Sequence, residues 1–136
     1  MKKYIKSAVT SWENEIPEIQ LEMARTSSDT DLLAQMINSK SVWGLEVASN
    51  PNLTGELAHM IFKKHGLMAS IPLASNPNTP PDILQEIAYR TSVGRVLEKV
   101  AKNPNTPVDV LRTLADSDYV AIRGAAMRTL KKLGMG

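Results

Sequence analysis

The 136-residue chain is 43% hydrophobic and 22% charged, the balance of one soluble globular domain, and its formal net charge of +2 is too small to imply nucleic acid by itself. The absence of cysteine excludes a disulfide framework, a thiol nucleophile, a cysteine-ligated iron–sulfur cluster and the common structural zinc sites. No apolar run approaches the ~18 to 20 residues of a membrane span, and Lys6, Ser7, Thr10 and Ser11 interrupt any secretory h-region after Met1, so the expectation is a cytoplasmic protein.

Residues 1–22 lack any repeated pattern and place Trp12, Ile16, Ile19 and Leu21 among glutamates, with Pro17 opening a short helix. They are expected to form an N-terminal cap, with a dimer contact as the alternative role. Charge is distributed unevenly along the chain: Glu13, Glu15, Glu18, Glu22, Asp29 and Asp31 face Arg25 alone near the start, whereas Lys and Arg outnumber acids from residue 82 onward.

Residues 23–117 follow one template about four times. Helix-start positions at Ser28, Leu53, Thr79 and Thr106 recur every 25 to 27 residues. Four, five, eight and nine residues after each start stand apolar side chains: Leu32, Leu33, Met36, Ile37; Leu57, Ala58, Ile61, Phe62; Ile83, Leu84, Ile87, Ala88; Val110, Leu111, Leu114, Ala115. Apolar doublets four residues apart make one helical stripe, and self-similarity at this period marks stacked units that bury a core only against their neighbours. The fold class is therefore all-α.

Thr79-Pro80-Pro81-Asp82 and Thr106-Pro107-Val108-Asp109 read as N-cap Thr, Pro at the first helical position and an acid in the first turn. Ser28 repeats the logic without proline, and in unit two Thr54 takes over the cap from Leu53. A second apolar segment ends each unit in Val47-Ala48, Leu73-Ala74 or Val100-Ala101, and Pro72 within one of them predicts a short helix or 3₁₀ turn. Asn-Pro-Asn follows at 50–52, 76–78 and 103–105, where an asparagine pushed toward extended backbone can bond neighbouring main chain. Asn50, Asn76 and Asn103 are expected to stack as a ladder along one edge.

Residues 118–136 read as a C-terminal capping helix, with Ile122, Ala125, Ala126, Leu130 and Leu133 on one face, Arg123, Arg128, Lys131 and Lys132 mostly on the other, and Gly134 as the stop.

The string Leu73 to Leu84 and its copy Val100 to Leu111 resemble the leucine-rich repeat variant family, strongly in these two units, moderately at Val47 to Phe62 and by pattern alone at Met23 to Ile37. The resemblance implies a right-handed α-solenoid in which each unit pairs an α-helix with a 3₁₀ helix. Some members carry a cysteine-rich iron–sulfur segment, which a chain without cysteine cannot hold. Asp116 to Ala126 is also similar to a HEAT-type repeat ending, and HEAT-like arrays mostly bind proteins, with one branch acting on alkylated DNA.

Chemistry-bearing patterns are sparse. His59 and His65, six residues apart, point to different helix faces, unlike the four-residue spacing of a helical metal pair, and no nucleophile-elbow, Walker-type or dinucleotide glycine pattern occurs. The acids Asp31, Glu56, Asp82 and Asp109 already occupy the helix starts that would otherwise attract anions. The expectation is thus a non-enzymatic protein-interaction module (adaptor, scaffold or inhibitor) with no cofactor and no metal, an unidentified protein partner and an open oligomeric state. Trp12, Trp43 and Tyr119 lie outside the template and are candidate interface anchors; the competing assignment for the tryptophans is that Trp12 seals the cap and Trp43 fills a groove between units. The alternative function is DNA-backbone binding by a C-terminal basic face of Arg95, Lys99, Arg123, Arg128, Lys131 and Lys132, opposed by the acids interspersed with them.

Overall fold

The computed structural model describes residues 10–135, so the first nine residues of the expected N-terminal cap and Gly136 lie outside the described residues. Within them every regular element is helical. After a 3₁₀ turn at Thr10–Asn14 come α1 (Pro17–Thr26), α2 (Thr30–Ser39), α3 (Ser41–Val47), α4 (Gly55–His65), a 3₁₀ turn at Gly66–Ala69, α5 (Ser70–Ser75), α6 (Pro81–Arg90), α7 (Gly94–Lys102), α8 (Val108–Leu114) and α9 (Val120–Lys132). Helix α1 spans the expected boundary at residue 22, and its Ala24 and Thr26 carbonyls accept from Asn50 and Asn52, so it is bonded into the array.

The even-numbered helices carry the apolar template, and α2, α4 and α6 pack on one another in succession. The odd-numbered helices form the second layer, with α1 on α3, α5 on α7 and α7 on α9. Between the layers lies one continuous core. All template positions are buried except Phe62, Ala88 and Ala115, the last position of units two to four, which are half-buried. The Arg90 guanidinium lies 5.6 Å from the centroid of Phe62 and covers it.

The second-layer segments are α-helical rather than 3₁₀. In the unit with Pro72, a 3₁₀ turn precedes α5 and the proline falls in the first turn of that helix, where its missing N–H has no intrahelical partner to lose. The expected contrast of one long and one short helix per unit shrinks in unit three, where α6 has 10 residues and α7 has 9, and reverses at the end of the array, where α8 has 7 and α9 has 13. After Ala115, Asp116 and Ser117 close turns onto Thr113 and Leu114, and such short polar residues compete with helix continuation.

Of the four helix starts only that of unit two, at Thr54, is capped by the expected residue; in unit one the cap is Asp29, one residue past Ser28. Asp29 and Thr54 are N-caps, their side chains accepting from the amides of Leu32 at 3.1 Å and Leu57 at 3.2 Å. Thr79 and Thr106 are not. There the N-cap backbone belongs to Pro80 and Pro107, and the threonine hydroxyls are buried and donate to Leu73 O at 2.6 Å and Val100 O at 2.7 Å. The cause is the preceding turn. Thr79 N bonds Asn76 O, and Thr106 N bonds Asn103 O, turning each side chain inward beneath the last-turn carbonyls of α5 and α7.

At the other end of the chain, Gly134 stops α9 at φ +77°, with Met135 N bonding Leu130 O and Gly134 N bonding Lys131 O in a Schellman arrangement.

Candidate interaction groove

The second-layer face is organised by the Asn-Pro-Asn turns. Asn76 and Asn103 have the extended backbone expected before proline, with ψ of 120° and 123°. Each first asparagine of the motif is buried and makes the same three bonds. Asn50 Nδ2 donates to Ala24 O and Ser27 O, Asn76 Nδ2 to Ala48 O and Asn50 O, and Asn103 Nδ2 to Ala74 O and Asn76 O, all within 2.9 to 3.0 Å. Each Oδ1 accepts from the amide of the second asparagine: Asn52, Asn78 or Asn105. The expected ladder is present, and it starts on α1.

A parallel, exposed ladder is made by the second asparagines. Asn52 Nδ2 reaches Thr26 O, Asn78 Nδ2 reaches Pro51 O at 2.7 Å, and Asn105 Nδ2 reaches Pro77 O at 2.6 Å. The buried ladder ends on a residue outside the motif. Thr129 Oγ1 donates to Ala101 O at 2.6 Å, the acceptor equivalent to Ala24, Ala48 and Ala74. Thr129 follows Asn103 at the period of the asparagines, a signal present in the sequence but hidden by the change of residue type.

Beside the ladders runs a trough. A hollow of about 230 Å³ is lined by Ser49, Pro51, Pro72, Ser75 and the second Asn-Pro-Asn turn. One of about 310 Å³ continues past Ser75 and Pro77 to Lys99, Lys102 and Pro104. One of about 390 Å³ extends the other way through Ser49, Pro72 and Ser75 to Ile71, Met68, Glu46 and Arg25. All three meet at Ser75. The first is below, and the other two are at the low end of, the range of about 300 to 1,000 Å³ typical of a small-molecule site, whereas together they form an elongated, open depression across three units. Its centre is neutral and proline-lined. Its C-terminal end is cationic, although Lys102 is 3.1 Å from Glu98, and at its other end Arg25 and Glu46 pair at 2.6 Å.

The anticipated aromatic anchors do not line this trough. Trp12 is buried, with Nε1 donating to Gln35 Oε1 at 3.2 Å and its carbonyl accepting from Gln20 Nε2. Trp43 is buried in α3. Both take the core assignment, since each belongs to the continuous cluster of buried side chains, and neither offers a surface anchor. Tyr119 is exposed, at the N-cap of α9.

The six cations are dispersed. Arg95 is exposed near the start of α7, and Lys99 lies in the trough. Arg123 Nη1 is tied to Ser117 O at 2.9 Å. Arg128 and Lys131 border a separate hollow with Met127, Leu130 and Met135, and Lys132 is exposed.

Both histidines are engaged within the fold. His59 bridges α4 and α6, with Nδ1 2.8 Å from Gly55 O and Nε2 2.7 Å from Asp82 Oδ2. Two acceptors require two N–H donors, so the geometry selects imidazolium. The bond to Asp82, helped by the Gly55 carbonyl and the carboxylate charge, raises the His59 pKa above its usual value, and the same bond lowers that of Asp82. His65 turns inward, its Nε2 buried without a hydrogen-bond partner, and burial lowers its pKa, aided by the charge of Lys64. A Cβ on Gly44 would lie 2.7 Å from that Nε2, so the absence of a side chain at Gly44 makes room for the ring. Among the described residues no three His, Asp or Glu side chains converge as a metal site, and no helix is long and apolar enough to cross a membrane.

Comparison with protein-family models, with curated proteins and with solved structures gives no match.

Proposed function

We propose that the chain is a non-enzymatic protein-interaction module whose trough holds an extended segment of a partner protein, in the manner of an adaptor, scaffold or inhibitor. The observation that carries this reading is the merging of three shallow hollows at Ser75 into one depression across successive units. An extended chain is the ligand whose shape repeats along such a depression, and the rigid asparagine ladders beneath it spare the partner the cost of ordering the site. The wider architecture belongs to the same proposal: a right-handed α-solenoid of the leucine-rich repeat variant kind. Stacked helix pairs and the Asn-Pro-Asn turns support it.

The test is affinity capture by the full chain from native lysate at low and high salt, with and without nuclease, beside a Ser75→Arg variant. Ser75 is exposed at the junction of the three hollows, so arginine there fills the trough and leaves the core untouched. The expected result is a stoichiometric protein that survives nuclease and is lost with Ser75→Arg while the helical circular-dichroism spectrum persists. Capture unchanged by that variant would remove the trough from the proposal. Recovery of nucleic acid alone, released by salt, would favour the basic-face reading of Arg95, Lys99, Arg123, Arg128, Lys131 and Lys132.

A further inference from the structure

The two ends of the helix stack are unlike each other in a complementary way. At the N-terminal end, α1 and the start of α2 leave a hollow lined by Ile19, Glu22, Met23, Thr26, Ser27 and Leu32. Ile19 is 40% exposed there, and Ile16, at the N-cap of α1, is 60% exposed. Glu13, Glu15, Glu18 and Glu22 are exposed, and none meets a cation among the described residues. At the C-terminal end, α9 and the end of α8 leave a hollow of about 520 Å³ lined by Ala115, Met127, Arg128, Leu130, Lys131 and Met135. Met127 is 56% exposed and Met135 48%. Arg128, Lys131 and Lys132 meet no carboxylate among the described residues.

Inside the array, apolar side chains of this kind are covered by the next unit. Here each end has an apolar centre with a charged rim, acidic at one end and basic at the other.

We propose that these ends dock on each other between copies, so that the partner of both is a second copy of this chain, joined head to tail with the α9 hollow of one copy against the α1 hollow of the next. Opposite rim charges select this pairing over either end meeting its own kind, since like charges brought together across an interface are repulsive. The contact is made by side chains and does not extend the ladder. Thr129 already takes the acceptor at Ala101, and the carbonyls beyond it serve α9's own helical bonding. A head-to-tail contact joins unlike surfaces and can therefore continue from copy to copy. Its charged rim makes it sensitive to salt.

Sedimentation equilibrium of the full chain over a range of concentrations, at low and high salt, tests this with two charge-reversed proteins. One carries Arg128→Glu and Lys131→Glu, and the other Glu18→Lys and Glu22→Lys. Wild type is expected to exceed the monomer mass increasingly with concentration at low salt and to return toward it at high salt. Each variant alone is expected to associate at least tenfold more weakly, with an unchanged helical spectrum. An equimolar mixture is expected to recover association, because the reversed end of each protein then faces an end of opposite sign on the other. Wild type that stays monomeric at low salt overturns the proposal. So does a mixture that fails to recover, or association lost in one variant only, which would mean two like ends meeting. The trough is untouched by these substitutions, so the outcome is independent of partner capture.

Discussion

Thr54 and Thr106 both stand at the start of a template helix, but Thr106 takes the place of Leu53 and Thr54 that of Pro107, and they do opposite jobs. Thr54 is exposed and accepts from Leu57 N, whereas Thr106 is buried and donates to Val100 O. The difference is one residue of register. Where Thr-Pro follows Asn-Pro-Asn, the threonine amide closes a turn onto the asparagine carbonyl and the proline takes the N-cap backbone, so the hydroxyl is drawn under the preceding helix. In unit two Leu53 closes that turn, its amide bonding Asn50 O, and Thr54, in the place of Pro107, is the N-cap. A hydroxyl can serve in either sense, so the same residue type fastens one helix to its own first turn and another to the helix before it.

Aspartate separates the two roles most sharply, because a carboxylate accepts but does not donate. Thr106→Asp places a charge against Val100 O in a buried site and is expected to lower stability by about 3 to 5 kcal/mol. Thr54→Asp keeps the acceptor at a position where aspartate caps at least as well, and is expected to change stability by less than about 0.5 kcal/mol. Denaturant midpoints of the two variants decide it, and a comparable loss at both sites would mean that the roles are not distinct.

The two asparagine ladders offer a second contrast, buried against exposed. Asn76→Ala strands Ala48 O, one bond to Asn50 O and the amide of Asn78, and is expected to cost on the order of 3 kcal/mol. Asn78→Ala removes an exposed bond to Pro51 O that water replaces, and is expected to cost under about 1 kcal/mol. Thermal unfolding of both variants measures the ratio. Smaller still than the Asn76 effect is that of Thr129→Val, a near-isosteric change that leaves Ala101 O without its donor. It is expected to cost about 1 to 2 kcal/mol. A neutral Thr129→Val would show that the last rung does not hold α9 to α7.

How much of this is legible in the sequence follows from how local each cause is. The apolar doublets declare the template helices because helical period and burial are set by the chain's own spacing, and Leu33, Leu84 and Leu111 are buried as that spacing requires. The ladder is legible for a similar reason: Asn before Pro recurs at one period, and stacking carries it into register. The donor role of Thr79 and Thr106 is not legible from the cap pattern, because it depends on a carbonyl six residues back brought near by the turn. The trough is less legible again, since Ser75, Pro72 and Lys99 come together only through the packing of successive units. Trp12 and Trp43 carry no local mark that distinguishes a core filler from an interface anchor.

The two histidines are the most delicate comparison, because burial and a partner move them in opposite directions. His59 meets a carbonyl and the Asp82 carboxylate, which favour imidazolium, and His65 meets the apolar side of Gly44 and no acceptor, which favours the neutral ring. In a titration followed by the imidazole C–H resonances, the His59 midpoint is expected above 6.5 and the His65 midpoint below it. Asp82→Asn should bring the first downward and leave the second in place. For stability the signs follow from linkage. The raised His59 pKa gives a contribution fully present below 6.5 and lost as pH rises through the folded value, and the lowered Asp82 pKa gives one present above 3.8 and lost as pH falls through its folded value. The pair therefore stabilises between those limits, around pH 5. Because both side chains are more than half exposed, screening keeps the effect to about 0.2 to 1 kcal/mol, seen as the difference between wild type and His59→Ala. A difference that grows above pH 8 would contradict the imidazolium assignment, since the neutral ring has one N–H for two acceptors and must leave either Gly55 O or Asp82 unpaired.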